Sequence, residues 1–121
     1  MDLIKACIRG DTEKTLELIM NNDTKMDIVD FHGRTVLIWA CQNEMKEVAL
    51  ELIKTGKSNP EHIAKDGNTA LSWACEKGMK DVAYELVSIG AFTINDLLFL
   101  KSEWVPELFI MNPVDVTEVD I

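Results

Sequence analysis

Basic residues are few in this sequence, and long apolar runs are absent. The chain has 12 Lys and Arg against 21 Asp and Glu, which gives a net charge of −9 and argues against binding to nucleic acid. No stretch of 18 apolar residues occurs, and the N-terminus has neither the basic start nor the apolar centre of a secretory signal. We therefore expect an intracellular protein, cytoplasmic or alternatively nuclear, that binds no membrane.

Residues that carry chemistry are also scarce. The three cysteines, Cys7, Cys41 and Cys75, are far apart in sequence, whereas zinc ligand pairs are two to four residues apart. The two histidines, His32 and His62, fall in predicted connections, and no phosphate loop, metalloprotease or hydrolase motif is present. Acidic pairs such as Glu13 with Glu17 and Glu47 with Glu51 are predicted on solvated helix faces. We expect no enzyme, no metal site and no cofactor, and we predict that the cysteines are small core residues without disulfides.

The cysteine spacing reveals an internal repeat of 34 residues. Residues 33–56 and 67–90 align at this period, and 13 of the 24 aligned positions are identical. In each copy, a short Leu-Trp-Ala-Cys segment is followed by apolar residues at i, i+1, i+4 and i+5, which predicts two helices with buried faces. Thr35 and Thr69 are predicted N-caps, and Gly56 and Gly90 are predicted left-handed helix ends.

The N-terminal segment matches the same repeat without its leading turn. Leu3, Ala6 and Cys7 precede their equivalents by 34 residues, as do the residues of the segment 17–19. Two short helices cannot bury their own apolar face, so the copies are expected to stack side by side.

These residues resemble the ankyrin repeat, whose pattern begins Gly-x-Thr-Pro-Leu-His-x-Ala-Ala and ends in Gly-Ala. The resemblance implies an all-α solenoid of stacked antiparallel helix pairs with hairpin-like loops. Both copies depart from the pattern at its His, where Ile38 and Ser72 stand, and we expect weaker corners as a result. The matching positions are Gly33, Thr35, Leu37, Ala40 and Gly56 in one copy and Gly67, Thr69, Leu71, Ala74, Gly78, Gly90 and Ala91 in the next.

The predicted plan is a single domain over residues 1–111 followed by an acidic tail over 112–121. The domain comprises an N-terminal partial repeat (1–29), two repeats (30–63 and 64–92) and a helical cap (93–111). The apolar segment 93–111 lacks the repeat's turn and has two interpretations, a lid on the last repeat or a docking segment for a partner.

The resemblance implies a protein-interaction module that binds through its turn tips and the exposed edge of each first helix. The partner is another protein, for which the chain's acidity favours a basic surface, and we expect a monomer. The alternative is a self-associating structural subunit, or a fragment of a larger ankyrin array, that uses the apolar C-terminal segment. Phe31 is either an interface anchor or a residue packed against the neighbouring turn. The predicted partner-binding residues are Arg9, Phe31, His32, Arg34, Gln42, Asn43, Lys65, Asp66, Asn68, Glu76 and Lys77.

Overall fold

The computed structural model describes residues 2–21 and 24–92, and helices form just over half of these residues. Within these ranges six helices form three successive pairs, and no strand is present beyond an isolated bridge between Val29 and Thr35. The all-α prediction is therefore confirmed. The helices are α1 (Asp2–Ile8), α2 (Thr12–Met20), α3 (Val36–Gln42), α4 (Lys46–Thr55), α5 (Ala70–Glu76) and α6 (Lys80–Ser88).

The helices lie in two layers. The first-helix layer consists of α1, α3 and α5, which contact one another in order, and the second-helix layer consists of α2, α4 and α6. Each pair also packs helix against helix across the two layers. The partial repeat thus has both of its helices, whereas the predicted cap over 93–111 and tail over 112–121 lie outside the described residues.

The predicted caps set where the helices start and stop. The Thr35 side chain accepts a hydrogen bond from the amide of Ile38 at the start of α3, and Thr69 does the same for Ser72 in α5. Gly56 ends α4 at a φ of 69°, a left-handed conformation that costs glycine little. Gly90 is also left-handed and directly follows the C-cap residue of α6.

The Thr corners of both repeats lack the family's histidine, and in one repeat another side chain supplies the missing hydrogen bond. The Ser72 hydroxyl accepts a hydrogen bond from the amide of Thr69, so the two side chains form a reciprocal capping box. Ile38 makes no such bond and is instead only 1% exposed. The two repeats therefore stabilise equivalent corners differently, one by hydrogen bonds and the other by apolar burial.

The core lies between the layers and repeats along the stack. Leu37 and Leu71 from the first layer and Leu52 and Leu86 from the second are completely buried. All three cysteines are buried and free, as predicted. Burial of each such leucine contributes about 1.5 to 3 kcal/mol, so the neighbour interfaces hold the repeats together.

Hairpins precede α3 and α5, over residues 30–34 and 64–68, and stack on each other. The amide of Asp30 donates to Arg34 O at 3.0 Å, and the amide of Ala64 donates to Asn68 O at 2.9 Å in the equivalent place. The amide of Lys65 donates to His32 O at 3.2 Å and so joins the two hairpins. This hairpin pair carries six of the predicted partner-binding residues.

Candidate functional site

Phe31 is at the tip of the first hairpin and is 85% exposed. The His32 ring meets it edge-on, with 5.4 Å between the ring centroids. The Lys65 ammonium is 5.6 Å from the centroid of the Phe31 ring and donates to the Phe31 carbonyl oxygen at 2.9 Å. The structure thus brings Phe31, His32 and Lys65 together, with the Lys65 side chain of the neighbouring hairpin beside the aromatic ring and most of the ring exposed to solvent.

Arg34 and Asp66 connect the two hairpins. Arg34 Nη2 is 3.2 Å from Asp66 Oδ2, and the Arg34 guanidinium carbon is 5.0 Å from the centroid of the Trp39 ring. The Arg34 side chain is only 18% exposed, so the guanidinium is largely committed to contacts within the chain. Sequence reasoning placed Arg34 and Asp66 on the binding surface without anticipating that they bind each other.

Asp30 organises the first hairpin, and sequence reasoning did not select it. Its carboxylate accepts hydrogen bonds from the amides of His32 and Arg34, at 2.9 and 3.0 Å, and from the Trp39 indole. Partial burial raises the pKa of Asp30, but these hydrogen bonds outweigh it, and the pKa lies below its ordinary value. The sequence held one signal for Asp30. The equivalent position of the next repeat is Ala64, although both repeats keep the tryptophan, as Trp39 and Trp73.

The second hairpin lacks that carboxylate and is organised by other side chains. Asp66 Oδ1 accepts from the amide of Asn68 at 3.0 Å, and this bond and that from Arg34 lower the pKa of Asp66. Asn68 Oδ1 accepts from the Ser72 hydroxyl at 3.1 Å. Trp73 Nε1 is buried and has no hydrogen-bond partner among the described residues, which follows from the alanine at position 64.

The remaining predicted residues lie at the C-terminal ends of the first helices. They are separated from the hairpins by the length of a first helix, about 10 Å for seven residues. Asn43 Nδ2 donates to the carbonyl oxygen of Cys7 at 3.0 Å and so ties α3 to the end of α1. Lys77 Nζ is 5.8 Å from the centroid of the Trp73 ring, and Gln42 is half-buried. Arg9 and Glu76 are exposed.

The thiols are in an environment that suppresses reactivity. Burial raises the pKa of Cys7 to about 12 and raises that of Cys41 as well. A thiol is a nucleophile only when ionised, so neither sulfur is activated. Within residues 2–21 and 24–92, no three His, Cys, Asp or Glu side chains are grouped as metal ligands. None of the described helices has the length and apolar character needed to cross a membrane.

Comparison with known proteins agrees with the repeat and the layered helices. The family model described as ankyrin repeats, in three copies, matches residues 3–96. No curated protein matches the chain significantly. The match covers most of the sequence and includes the N-terminal helix pair as well as both hairpins. The repeat, the stacked helix pairs and this match together show that the chain belongs to the ankyrin-repeat family.

Proposed function

We propose that this protein is a non-catalytic protein-binding module that engages its partner through the hairpin tips and the exposed edge of the first-helix layer. Ankyrin repeats are generally protein-interaction modules. The observation that carries the proposal for this surface is Phe31, because a large aromatic side chain is 85% exposed on a hairpin closed by backbone hydrogen bonds. Aromatic side chains of this kind dominate the binding energy of interfaces when a partner buries them.

The hairpin surface is organised before any partner binds. The Lys65 amide and ammonium hold the first hairpin against the second through His32 O and Phe31 O. Arg34 and Asp66 add a second connection. Contacts of this kind reduce the conformational entropy that a hairpin loses on binding.

The charge of the molecule acts on two length scales. The net charge of −9 favours approach of a partner with a basic surface. Beside the Phe31 ring, however, lies the Lys65 ammonium, which favours an acidic or carbonyl group in the immediate contact. The partner we propose is therefore basic overall, with an apolar and acidic patch that receives Phe31.

Affinity capture followed by mass spectrometry, with the variant Phe31→Ala, tests whether the hairpin tips bind the partner. Its matched control is Ile89→Ala, which removes another exposed apolar side chain, 52% exposed, at the end of α6. We expect one protein to be captured by the wild type and by the control and lost with Phe31→Ala. Equal capture by all three forms would refute the assignment of the hairpin surface.

Self-association through segment 93–111 is the competing function and predicts a different result. Sedimentation velocity of the full chain would then show a mass that increases with concentration, and capture would recover only the protein itself. Our proposal is of a monomer inside the cell, without a metal or a cofactor. The buried cysteine thiols support the absence of nucleophilic chemistry.

A further inference from the structure

The second-helix layer carries a row of surface apolar residues that its own repeats leave half-exposed. Leu16, Leu50 and Tyr84 occupy the same position in α2, α4 and α6, 34 residues apart, and each is half-buried. Met20, one turn beyond Leu16, is 76% exposed. This row lies on the opposite layer from the hairpin surface and has no part in the function proposed above.

Two grooves run between the helices of this layer, and Leu50 lines both. The groove between α2 and α4 has a volume of about 490 Å³, and that between α4 and α6 about 470 Å³. Each groove therefore has room for one or two large apolar side chains of a partner. The first groove is lined by Leu16, Met20, Glu47, Leu50, Glu51 and Lys54, and the second by Lys46, Leu50, Asp81, Tyr84 and Glu85.

Acidic residues stand beside the apolar row at two repeated positions. One position holds Glu13, Glu47 and Asp81, and the other holds Glu17, Glu51 and Glu85. In each groove the later helix supplies such a pair, four residues apart, so that both members lie on one helix face. The groove walls thus repeat the same combination of apolar and acidic groups.

Most lysines of this layer already have partners within it. Lys14 pairs with Glu17, Lys54 with Glu51 and Lys46 with Asp81, and Lys80 lies over the Tyr84 ring. Across the described part of the chain, Glu47 and Glu85 form no ion pair. Each groove consequently offers one carboxylate that a basic side chain from outside could neutralise.

The acidic groove walls indicate which kind of partner the grooves fit. A second copy of the chain would bring the same acidic positions against each other, and such like-charge contacts are unfavourable. Residues 93–121 of this chain are also acidic, with six Asp and Glu against one Lys. The complementary partner is a basic segment with an apolar stripe.

We propose that the two grooves of the second-helix layer bind a basic amphipathic helix of another protein. Neighbouring helices in a stack are about 10 Å apart, and a helix rises 1.5 Å per residue, so apolar side chains about seven residues apart would enter successive grooves. Lys or Arg beside each apolar residue would contact Glu47 and Glu85. The stack would then have two independent protein-binding surfaces, one on each layer.

The test uses the full chain and a synthetic helical peptide of about 18 residues, which is long enough to cross all three helices. The peptide carries Leu on one face, including positions seven apart, and Lys elsewhere. Two comparison peptides have the same composition with the Leu positions scrambled, or Glu in place of every Lys. Fluorescence anisotropy at physiological salt should give a dissociation constant below about 100 µM for the first peptide only.

Paired variants locate the binding site. The groove variant combines Met20→Ser with Glu47→Gln, and the matched control combines Ile63→Ser with Glu61→Gln in the connection between α4 and α5, outside both proposed surfaces. Each removes one exposed apolar side chain and one charge from exposed positions, so both should fold, which circular dichroism verifies. We expect the groove variant to weaken peptide binding at least about tenfold and the control less than about twofold.

Several results would overturn the proposal. Absence of binding to the wild type, or equal binding of the scrambled peptide, would show that the grooves do not select an apolar stripe. Equal effects of the two paired variants would place the peptide elsewhere. A concentration-dependent dimer that the groove variant abolishes would identify a second copy of the chain as the occupant instead.

Discussion

The carboxylate of Asp30 is expected to be a main support of the first hairpin, and Asp30→Ala measures its contribution. The substitution removes the acceptor of two backbone amides and of the Trp39 indole. The variant should still fold, because Ala64 occupies the equivalent position of the second hairpin and forms the same backbone hydrogen bond. The effect should therefore appear as a loss of stability and not as a loss of structure.

The size of the loss of stability depends on whether each hydrogen-bond donor freed by Asp30→Ala can bond to water instead. The amides of His32 and Arg34 lie near the surface and regain water, so each bond lost costs about 0.5 to 1 kcal/mol. The Trp39 indole is half-buried and would be left without an acceptor, which costs about 1 to 2 kcal/mol more. We expect the free energy of unfolding to fall by about 2 to 4 kcal/mol, and the melting temperature of a domain of this size by about 8 to 16 °C.

Urea unfolding followed by circular dichroism at 222 nm measures this change. Asp66→Ala is the matched control, because it removes an exposed hairpin carboxylate that accepts from Asn68 and pairs with Arg34. Its cost should stay below about 1 kcal/mol, as is usual for exposed pairs. A double-mutant cycle with Trp39→Phe should give a coupling of about 1 kcal/mol. A loss with Asp30→Ala no larger than that with Asp66→Ala would refute the reasoning.

Three further results are expected from the same structure. The pKa of Asp30 is lowered in the folded state, so the stability that its carboxylate contributes is fully present above the unfolded pKa and is lost as pH falls from about 5 through the folded pKa. Asp30→Asn should flatten this decline in the free energy of unfolding. Gly33→Ala should cost about 1 kcal/mol more than Gly67→Ala in urea unfolding, since both glycines are left-handed but only at Gly33 would a Cβ lie 3.1 Å from Lys65 Cγ. Equal costs would contradict this. Ellman's reagent should leave the folded protein unmodified and label all three buried cysteines after denaturation, whereas fast labelling of the native state would show that the repeat interfaces open readily.

Local patterns predicted the local structure of this chain well. The N-caps at Thr35 and Thr69 and the left-handed Gly56 appear where the sequence placed them, because capping depends on residues within one turn of the helix end. The expectation of weak corners was incomplete at Ser72. Its hydroxyl performs the capping that the missing histidine suggested would be lost.

The predicted binding residues illustrate what a pattern of variable positions cannot distinguish. A position that differs between copies can contact a partner, or it can contact the neighbouring repeat. Asn43 reaches the carbonyl oxygen of Cys7, and Arg34 reaches Asp66, so both make contacts inside the stack. Phe31 extends to solvent. Each of these three positions holds a different residue in the next repeat, so sequence comparison between the copies does not separate them.

The sequence by itself determined the period, the two helices of each repeat, the buried face of each helix and the free cysteines in the core. These features follow from spacing along the chain, since a helix places residues three and four apart on one face. The tertiary structure alone decided that Asp30 organises the first hairpin, that Lys65 lies over Phe31, and that grooves open beside Leu50. The contact between Lys65 and Phe31 joins residues one repeat apart, and the grooves separate successive helices of one layer. Their geometry depends on how closely the repeats stack and how their side chains turn, which no periodicity in the sequence specifies.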